Sequence, residues 1–405
     1  MLEKAELIPG GGVTTPRGFL AGAVRVDVRM DTQRLDLGLL YSEALCAAAG
    51  VYTQCNVKAA PVLITQKHLT NGRAQAVIAN SGCANAATGQ RGLDDAIEMA
   101  QLAGAKLGVD PHEVVVASTG VIGTFMPMER ICRGVEQIEL SAEGGLDFAR
   151  AIMTTDTRPK HVAVRIGPYM LAGVAKGAGM IHPNMATMLS FITSDAPVAP
   201  GFLARALRGA VDASFNMIDV DSDTSTNDIV VALANGRGGG EAIDHGHPAT
   251  DAFASALTMV CTHLAKAIVA DAEGGTKFIE ARVDGARSLE DARRAAREVV
   301  RSLAVKTAVY GHDPNWGRIL AAVGNSGADM REGNTALYLL STEDGELCLF
   351  REGAPQPYDA AQAKACLAPR EVRIRVDLGL GEASATAWGS DITEEYVRLN
   401  SRYTT

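Results

Sequence analysis

The stretch 175–196, AKGAGMIHPNMATMLSFITSDA, sets Gly177, Gly179 and a Pro183-Asn184 corner ahead of an Ala186-Thr187 step and an apolar run. A threonine hydroxyl is a weak nucleophile until a base takes its proton, and no histidine is evidently paired with Thr187. Cutting the peptide bond before Thr187 would supply that base from the same residue, because a free α-amine titrates at roughly 7.7–8.0 and is partly unprotonated at neutral pH. The hydroxyl could also make the cut, attacking the Ala186 carbonyl in an N-to-O acyl shift. Ala186 is small enough to leave that carbonyl open, and the glycines and Pro-Asn corner can form the turn such an attack needs. The same spacing suits an ordinary threonine at the start of a strand, so by itself it leaves both readings open.

Other chemistries find less support. There is no G-x-x-x-x-G-K-[ST], no strand-anchored G-x-G-x-x-G and no G-x-S-x-G. His112-Glu113 opens like a zinc-protease motif, but Val116 stands where the second histidine would be. DVDSDTSTNDIV has calcium-loop spacing at Asp219, Asp221 and Asp223, then departs with Thr224 for the glycine and Val230 for the bidentate glutamate. It reads instead as a polar turn into a strand at Ile229. The eight histidines form no ligand-spaced cluster, so neither a metal nor a cofactor is expected.

The bulk numbers agree with a globular protein. The chain has 405 residues, 47% hydrophobic and 21% charged, with a net charge of -9. No basic run offers a footprint for nucleic acid. Seven cysteines at 46, 55, 83, 132, 261, 348 and 366 include no C-x-x-C pair, which points to small buried side chains in a reducing compartment rather than to disulfides. The N-terminal MLEKAELIPGGG has no apolar leader core, and the apolar stretches read as too short to cross a bilayer. The expectation is a cytoplasmic protein with no membrane contact.

The elements that must position Thr187 are legible as patterns. PMERICRGVEQIEL repeats Met128, Ile131, Val135 and Ile138 down one helical face, with Pro127 in the first turn. Residues 250–271 do the same with Phe253, Leu257, Val260, Leu264 and Ile268. Ser288 and Asp291 suggest a capping box for SLEDARRAAREVVRSL. EVRIRVDLGL alternates Val372, Ile374, Val376 and Leu378, while VIAN, HVAVRI and DIVVAL fit interior strands. Strands and helices come in groups, predicting stacked α/β layers, helices around sheets, rather than a strict βαβ repeat. Residues 235–248 and 351–365 read as the weakest segments, and neither marks a domain boundary.

Across the whole chain a resemblance accumulates. KGAGMIHPNMATMLSFITSDA, NVKAAPV (56–62), NSGCANAATG (80–89), STGVIG (118–123), IMTTDTRPK (152–160), DSDTSTND (221–228), ADAEGGTK (270–277), GHDPNWGRILAAVG (311–324) and the terminal YVRLNSRYTT occur in the order of one family's blocks. The sequence resembles the ornithine acetyltransferases of arginine biosynthesis, also called bifunctional glutamate N-acetyltransferases, which are self-processing enzymes with a threonine nucleophile. No position the family uses departs from its pattern.

The resemblance implies a self-processing, N-terminal-nucleophile-like sandwich with a smaller C-terminal α/β domain. It implies cleavage between Ala186 and Thr187 into an alpha chain, 1–186, and a beta chain, 187–405, that share one core and assemble as heterotetramers of two copies of each. Thr187 becomes the nucleophile, with its own amine as base and acid. Thr119 and Gly120 become the oxyanion hole, and Thr154, Lys176, Thr187, Glu273, Asn400 and Thr405 the substrate pocket. The expected reaction is ping-pong: N-acetyl-L-ornithine acetylates Thr187, ornithine leaves, and L-glutamate accepts the acetyl group. Acetyl-CoA is a possible second donor. Lys176 could meet the α-carboxylate shared by both substrates and Glu273 a substrate ammonium; His182, Asp313 and Asn315 are expected only to form turns and pack. Two other readings remain: a self-processing aminopeptidase or amidohydrolase, and an uncleaved protein that binds acetylated amino acids.

Overall fold

The computed structural model describes residues 5–29, 33–182, 188–341 and 345–402. Short apolar strands dominate its first half because runs such as RAQAVIAN and VVVAS bury side chains on both faces. In chain order the strands are β1 Glu6–Leu7, β2 Phe19–Val24, β3 Leu37–Tyr52, β4 Arg73–Asn80, β5 Val114–Ser118, β6 Lys160–Ile166, β7 Tyr169–Lys176 and β8 Leu189–Ser194. They continue with β9 Ile218–Asp219, β10 Ile229–Ala234, β11 Phe278–Ala286, β12 Ala336–Ser341, β13 Gly345–Arg351, β14 Ala354–Pro355, β15 Glu371–Asp377 and β16 Ala383–Ser390.

Two sheets result. One runs β1-β6-β7-β8-β10-β3-β4-β5 with β2 against β3, and the other runs β14-β13-β12-β15-β11-β16-β9. In the first, β8 and β10, which follow position 187, stand between strands that precede it. β8 is antiparallel to β7 in the register Lys176 to Leu189, and β10 pairs with β8 on one side and β3 on the other. Removing either part of the chain would therefore strip main-chain partners from the other, leaving backbone groups unpaired.

The helix Thr250–Val269 explains how the sheets share a core. Its Phe253, Leu257, Val260, Leu264 and Ile268 are buried at the expected helical spacing, and one continuous apolar cluster passes from Val162 and Leu171 through this helix to Val299, Ile374 and Trp388. The C-terminal sheet thus has no separate core. The helix also corrects the reading that every apolar stretch is too short for a bilayer: its 20 residues include an 18-residue window of mean hydropathy 1.5, long and apolar enough. Its apolar face is spent on the sheets instead.

Most of the other elements fall where the pattern puts them. The helix Met128–Gln137 buries Ile131 and Val135, with Pro127 as its N-cap residue. Ser288 Oγ accepts from Asp291 N at 3.1 Å to start the helix Leu289–Arg301. The weak segment 351–365 proves more regular than its composition suggests. It contains β14 and the start of the helix Ala360–Leu367, capped by Asp359, whose Cys366 and Leu367 bury against the second sheet. The strand expected to begin at Thr187 begins at Leu189; Thr187 itself lies outside the described residues.

Candidate active site

Six of the proposed site residues, separated by up to 281 positions in the chain, line one small cavity: Thr119, Gly120, Thr154, Lys176, Glu273 and Asn400. Its volume is about 70 Å³. Ala186, Thr187 and Thr405 lie outside the described residues.

Thr119 and Gly120 sit in the turn that leaves β5. Thr119 N donates to Asn80 O at 3.0 Å, Val121 N to Gly82 O at 3.3 Å and Ala84 N to Val121 O at 3.0 Å, so the turn is zipped to the segment after β4. The approach is too close for any side chain: a Cβ on Gly120 would stand 2.4 Å from the Gly82 carbonyl carbon, and Gly120 has φ +133°. The two glycine-containing blocks NSGCANAATG and STGVIG therefore require each other. Among the described residues the Gly120 N–H has no acceptor, which leaves it available to a ligand in the cavity.

Lys176 ends β7 and is buried. Its Nζ donates to Thr119 Oγ1 at 3.2 Å. That bond uses an acceptor lone pair on the threonine oxygen and leaves the hydroxyl proton free to be donated elsewhere. Burial pushes the Lys176 ammonium below its ordinary range, with Lys160 adding to the effect, while Asp156, Glu273 and Asp228 oppose it.

Beneath Lys176 lies a buried ionic network. Lys160 Nζ meets Asp156 at 2.5 Å and Asp271 at 2.7 Å. Asp156 also accepts from Thr154 N at 3.1 Å and Gly177 N at 2.8 Å, fixing two walls of the cavity at once. Burial alone would raise the Asp156 carboxyl, but Lys160 and Lys176 outweigh it and hold it below its ordinary value.

Glu273 lies in the turn after the helix Thr250–Val269. Its N–H donates to Ala178 O at 2.9 Å, and its carboxylate lies against Gly179, where a Cβ would fall 2.5 Å from the carboxyl carbon. Asn400 is no frayed terminal residue. It belongs to the helix Glu394–Arg402, and its Nδ2 donates to Glu273 Oε2 at 2.9 Å. Thr393 Oγ1 donates to Gly274 O at 2.7 Å and anchors the start of that helix. His182 Nδ1 pairs with Asp219 Oδ2 at 2.9 Å, and Asn315 caps the helix Trp316–Asn325, in line with packing and turn roles.

With this geometry in view, the sequence matches the ArgJ family over residues 20–405. The chain belongs to the ArgJ family. It is 51% identical over 402 residues to the arginine biosynthesis bifunctional protein ArgJ of Symbiobacterium thermophilum, covering 98% of this chain and 99% of that protein. The ArgJ protein of Bacillus subtilis is 43% identical over 400 residues, covering 98% and 97%. The crystal structure of the Mycobacterium tuberculosis ornithine acetyltransferase complexed with ornithine is 40% identical, covers 46% of this chain and 100% of that chain, and has a TM-score of 0.43.

Within this chain the fold adds residues that pattern reading assigned only to a turn. Ser225, Thr226 and Asn227 line the same cavity. Asn227 Nδ2 donates to Ala84 O at 2.7 Å and to Ser118 O at 2.8 Å, tying the turn before β10 to the Thr119 turn. Asp228 follows, fully buried. Its Oδ1 accepts from Met188 N at 3.0 Å, and its Oδ2 has no partner among the described residues. Burial raises this carboxyl well above the ordinary carboxylate range. The signal was an acid placed directly before IVVALA, a strand buried along its whole length.

Proposed function

We propose that this chain is a glutamate N-acetyltransferase that cleaves itself before Thr187 and then transfers acetyl from N2-acetyl-L-ornithine to L-glutamate, the exchange that keeps the acetyl group cycling in arginine biosynthesis. The observation that carries the reading is the convergence of Thr119, Gly120, Lys176, Glu273 and Asn400 on one cavity, in a chain whose family is that of the bifunctional ArgJ proteins. Thr187 is two residues along the chain from Leu189, the register partner of Lys176. Both flanks of its segment are pinned: Asp221 accepts from Ile181 N at 2.8 Å, and Asp228 from Met188 N at 3.0 Å.

In the proposed maturation, Thr187 Oγ attacks the Ala186 carbonyl. The C–N bond breaks as the ester forms, and the nitrogen takes a proton to become the free amine. Water then hydrolyses the ester, giving an Ala186 carboxylate and a free Thr187 hydroxyl. The two chains, 1–186 and 187–405, stay together because β8 and β10 stand between strands of the first chain, an N-terminal-nucleophile arrangement within the α/β layers.

In transfer, the Thr187 amine takes the hydroxyl proton as Oγ attacks the acetyl carbonyl of the donor. The negative charge that develops on oxygen meets the Gly120 N–H and the Thr119 hydroxyl, a preorganised pair in a low-dielectric site. Collapse expels the α-nitrogen of ornithine, which carries off the proton held by the amine. Glutamate's α-amine then attacks the acetyl ester and its proton returns to Thr187, so the second half mirrors the first. Lys176 gives one of its three donors to Thr119, and the others serve the α-carboxylate common to both amino acids. Neither step draws on a metal or cofactor.

The test is Thr187→Ala. The wild type is expected to run as two polypeptides on a denaturing gel and to gain a covalent acetyl group on the second chain when mixed with N-acetylornithine. The variant should stay as one chain and take up none. A processed or acetylated Thr187→Ala protein would end the proposal.

A further inference from the structure

The reactive cavity shares part of its wall with a larger one. The second chamber, about 640 Å³, shares Thr154, Thr155, Glu273 and Asn400 with the first, which is about 70 Å³. The small cavity suits an acetyl ester and little more, whereas the larger one falls in the ordinary range for ligand pockets, roughly 300–1,000 Å³. A side chain too long for the small cavity has the larger chamber beside it, across the shared wall.

The charge of that chamber runs against the charge of the chain. The protein carries -9 overall, yet Arg29, Arg34 and Arg402 all line this one space. Of its two carboxylates among the described residues, Asp271 is engaged by Lys160 at 2.7 Å. Glu273, on the boundary between the chambers, is the remaining one. Arg34 is held in place, its Nη1 donating to Thr154 O at 3.0 Å, which sets a guanidinium against the wall that the two cavities share. Arg402 closes the helix that also delivers Asn400.

The proposed exchange poses a problem that this arrangement answers. Donor and acceptor react through the same atom, the α-nitrogen, and share the α-carboxylate, but one side chain ends in an ammonium and the other in a carboxylate. One charged group cannot favour both. Guanidinium suits a carboxylate, which it can meet with two parallel hydrogen bonds, and the boundary carboxylate suits the ammonium.

We propose that the arginine-lined chamber is the acidic side-chain subsite: Arg34 and Arg402 hold the side-chain carboxylate of the acceptor, beside the Glu273 that the family resemblance already assigns to the donor's ammonium. This rests on the acetyl-exchange reading above. The acceptor's specificity for an acid over its neutral amide then comes from these arginines and not from the groups that make and break bonds.

The experiment compares glutamate with glutamine, an acceptor of the same shape without the charge, using N-acetylornithine as donor. In Arg34→Gln and in Arg402→Gln, the ratio of kcat/KM for glutamate to that for glutamine should fall about tenfold or more, the size expected for losing a charged hydrogen bond. Arg34→Lys should recover part of the ratio. Arg34 also holds the Thr154 carbonyl, so a general loss in its variant would affect both acceptors alike and leave the ratio standing; Arg402→Gln lacks that complication. An unchanged ratio in both glutamine variants overturns the subsite. A wild type that moves no acetyl group from N-acetylornithine to either acceptor overturns the parent reading instead, so the two failures are distinct.

Discussion

Replacing Thr119 with valine removes a hydroxyl and little else. The Thr119 backbone is set by its N–H bond to Asn80 O at 3.0 Å and by its bridge to Cys83, neither of which involves the side chain. The side chain is buried, and its oxygen accepts from the Lys176 ammonium at 3.2 Å. Two effects follow. The oxyanion loses one of its two proposed donors, a loss that costs about 100–1,000-fold in kcat, or about 2.7–4 kcal/mol. Lys176 loses its acceptor, and leaving a buried charged group short of a partner costs about 1–3 kcal/mol of stability. The rate effect should far exceed any change in donor KM, because the hydroxyl is engaged mainly in the transition state. Single-turnover acetylation of Thr187 by N-acetylornithine, followed by intact mass, reads the first half-reaction alone. Thr119→Ser keeps the donor and should retain most of the rate. A folded, processed Thr119→Val protein that acetylates within about threefold of wild type would refute the oxyanion assignment.

Two further outcomes concern the buried charges around the site. Lys160→Met should destabilise the protein by about 3–5 kcal/mol, read as a fall in the denaturant midpoint, because Asp156 and Asp271 would be left buried without their common cation; a midpoint within error of wild type would show the network to be energetically idle. Burial holds the Asp221 carboxyl up at about 6, despite its backbone bonds from Met180 and Ile181. A folded value above the unfolded one makes its contribution to stability full below about pH 4 and lost as pH rises through about 6, a swing of about 3 kcal/mol. The stability of wild type relative to Asp221→Asn should therefore improve by up to that amount between pH 7 and pH 4, and a difference that does not change with pH would refute it.

Much of the architecture was present in one-dimensional pattern. Helical spacing located the helices around Ile131 and Leu264, alternation located β15, and Ser288 with Asp291 marked a helix start. Such features depend on neighbours within a few positions, so periodicity exposes them. The helix Ala360–Leu367 escaped because APQPYDAAQAKA is too polar and proline-rich to show a period; its regularity comes from the Asp359 cap and from Cys366 and Leu367 meeting the second sheet.

The sequence by itself determined the family, through blocks spread over nearly all its length, and nominated Thr119, Gly120, Thr154, Lys176, Glu273 and Asn400 through those blocks. Only the tertiary structure decided that these residues share a cavity, that Lys176 is buried against the Thr119 hydroxyl, and that three arginines gather beside Glu273. It also decided that β8 and β10 insert between earlier strands. The reason is physical: strand order and burial are set by contacts between segments far apart in the chain, and a charged side chain's partners, which fix its electrostatics, come from those contacts rather than from its neighbours in sequence.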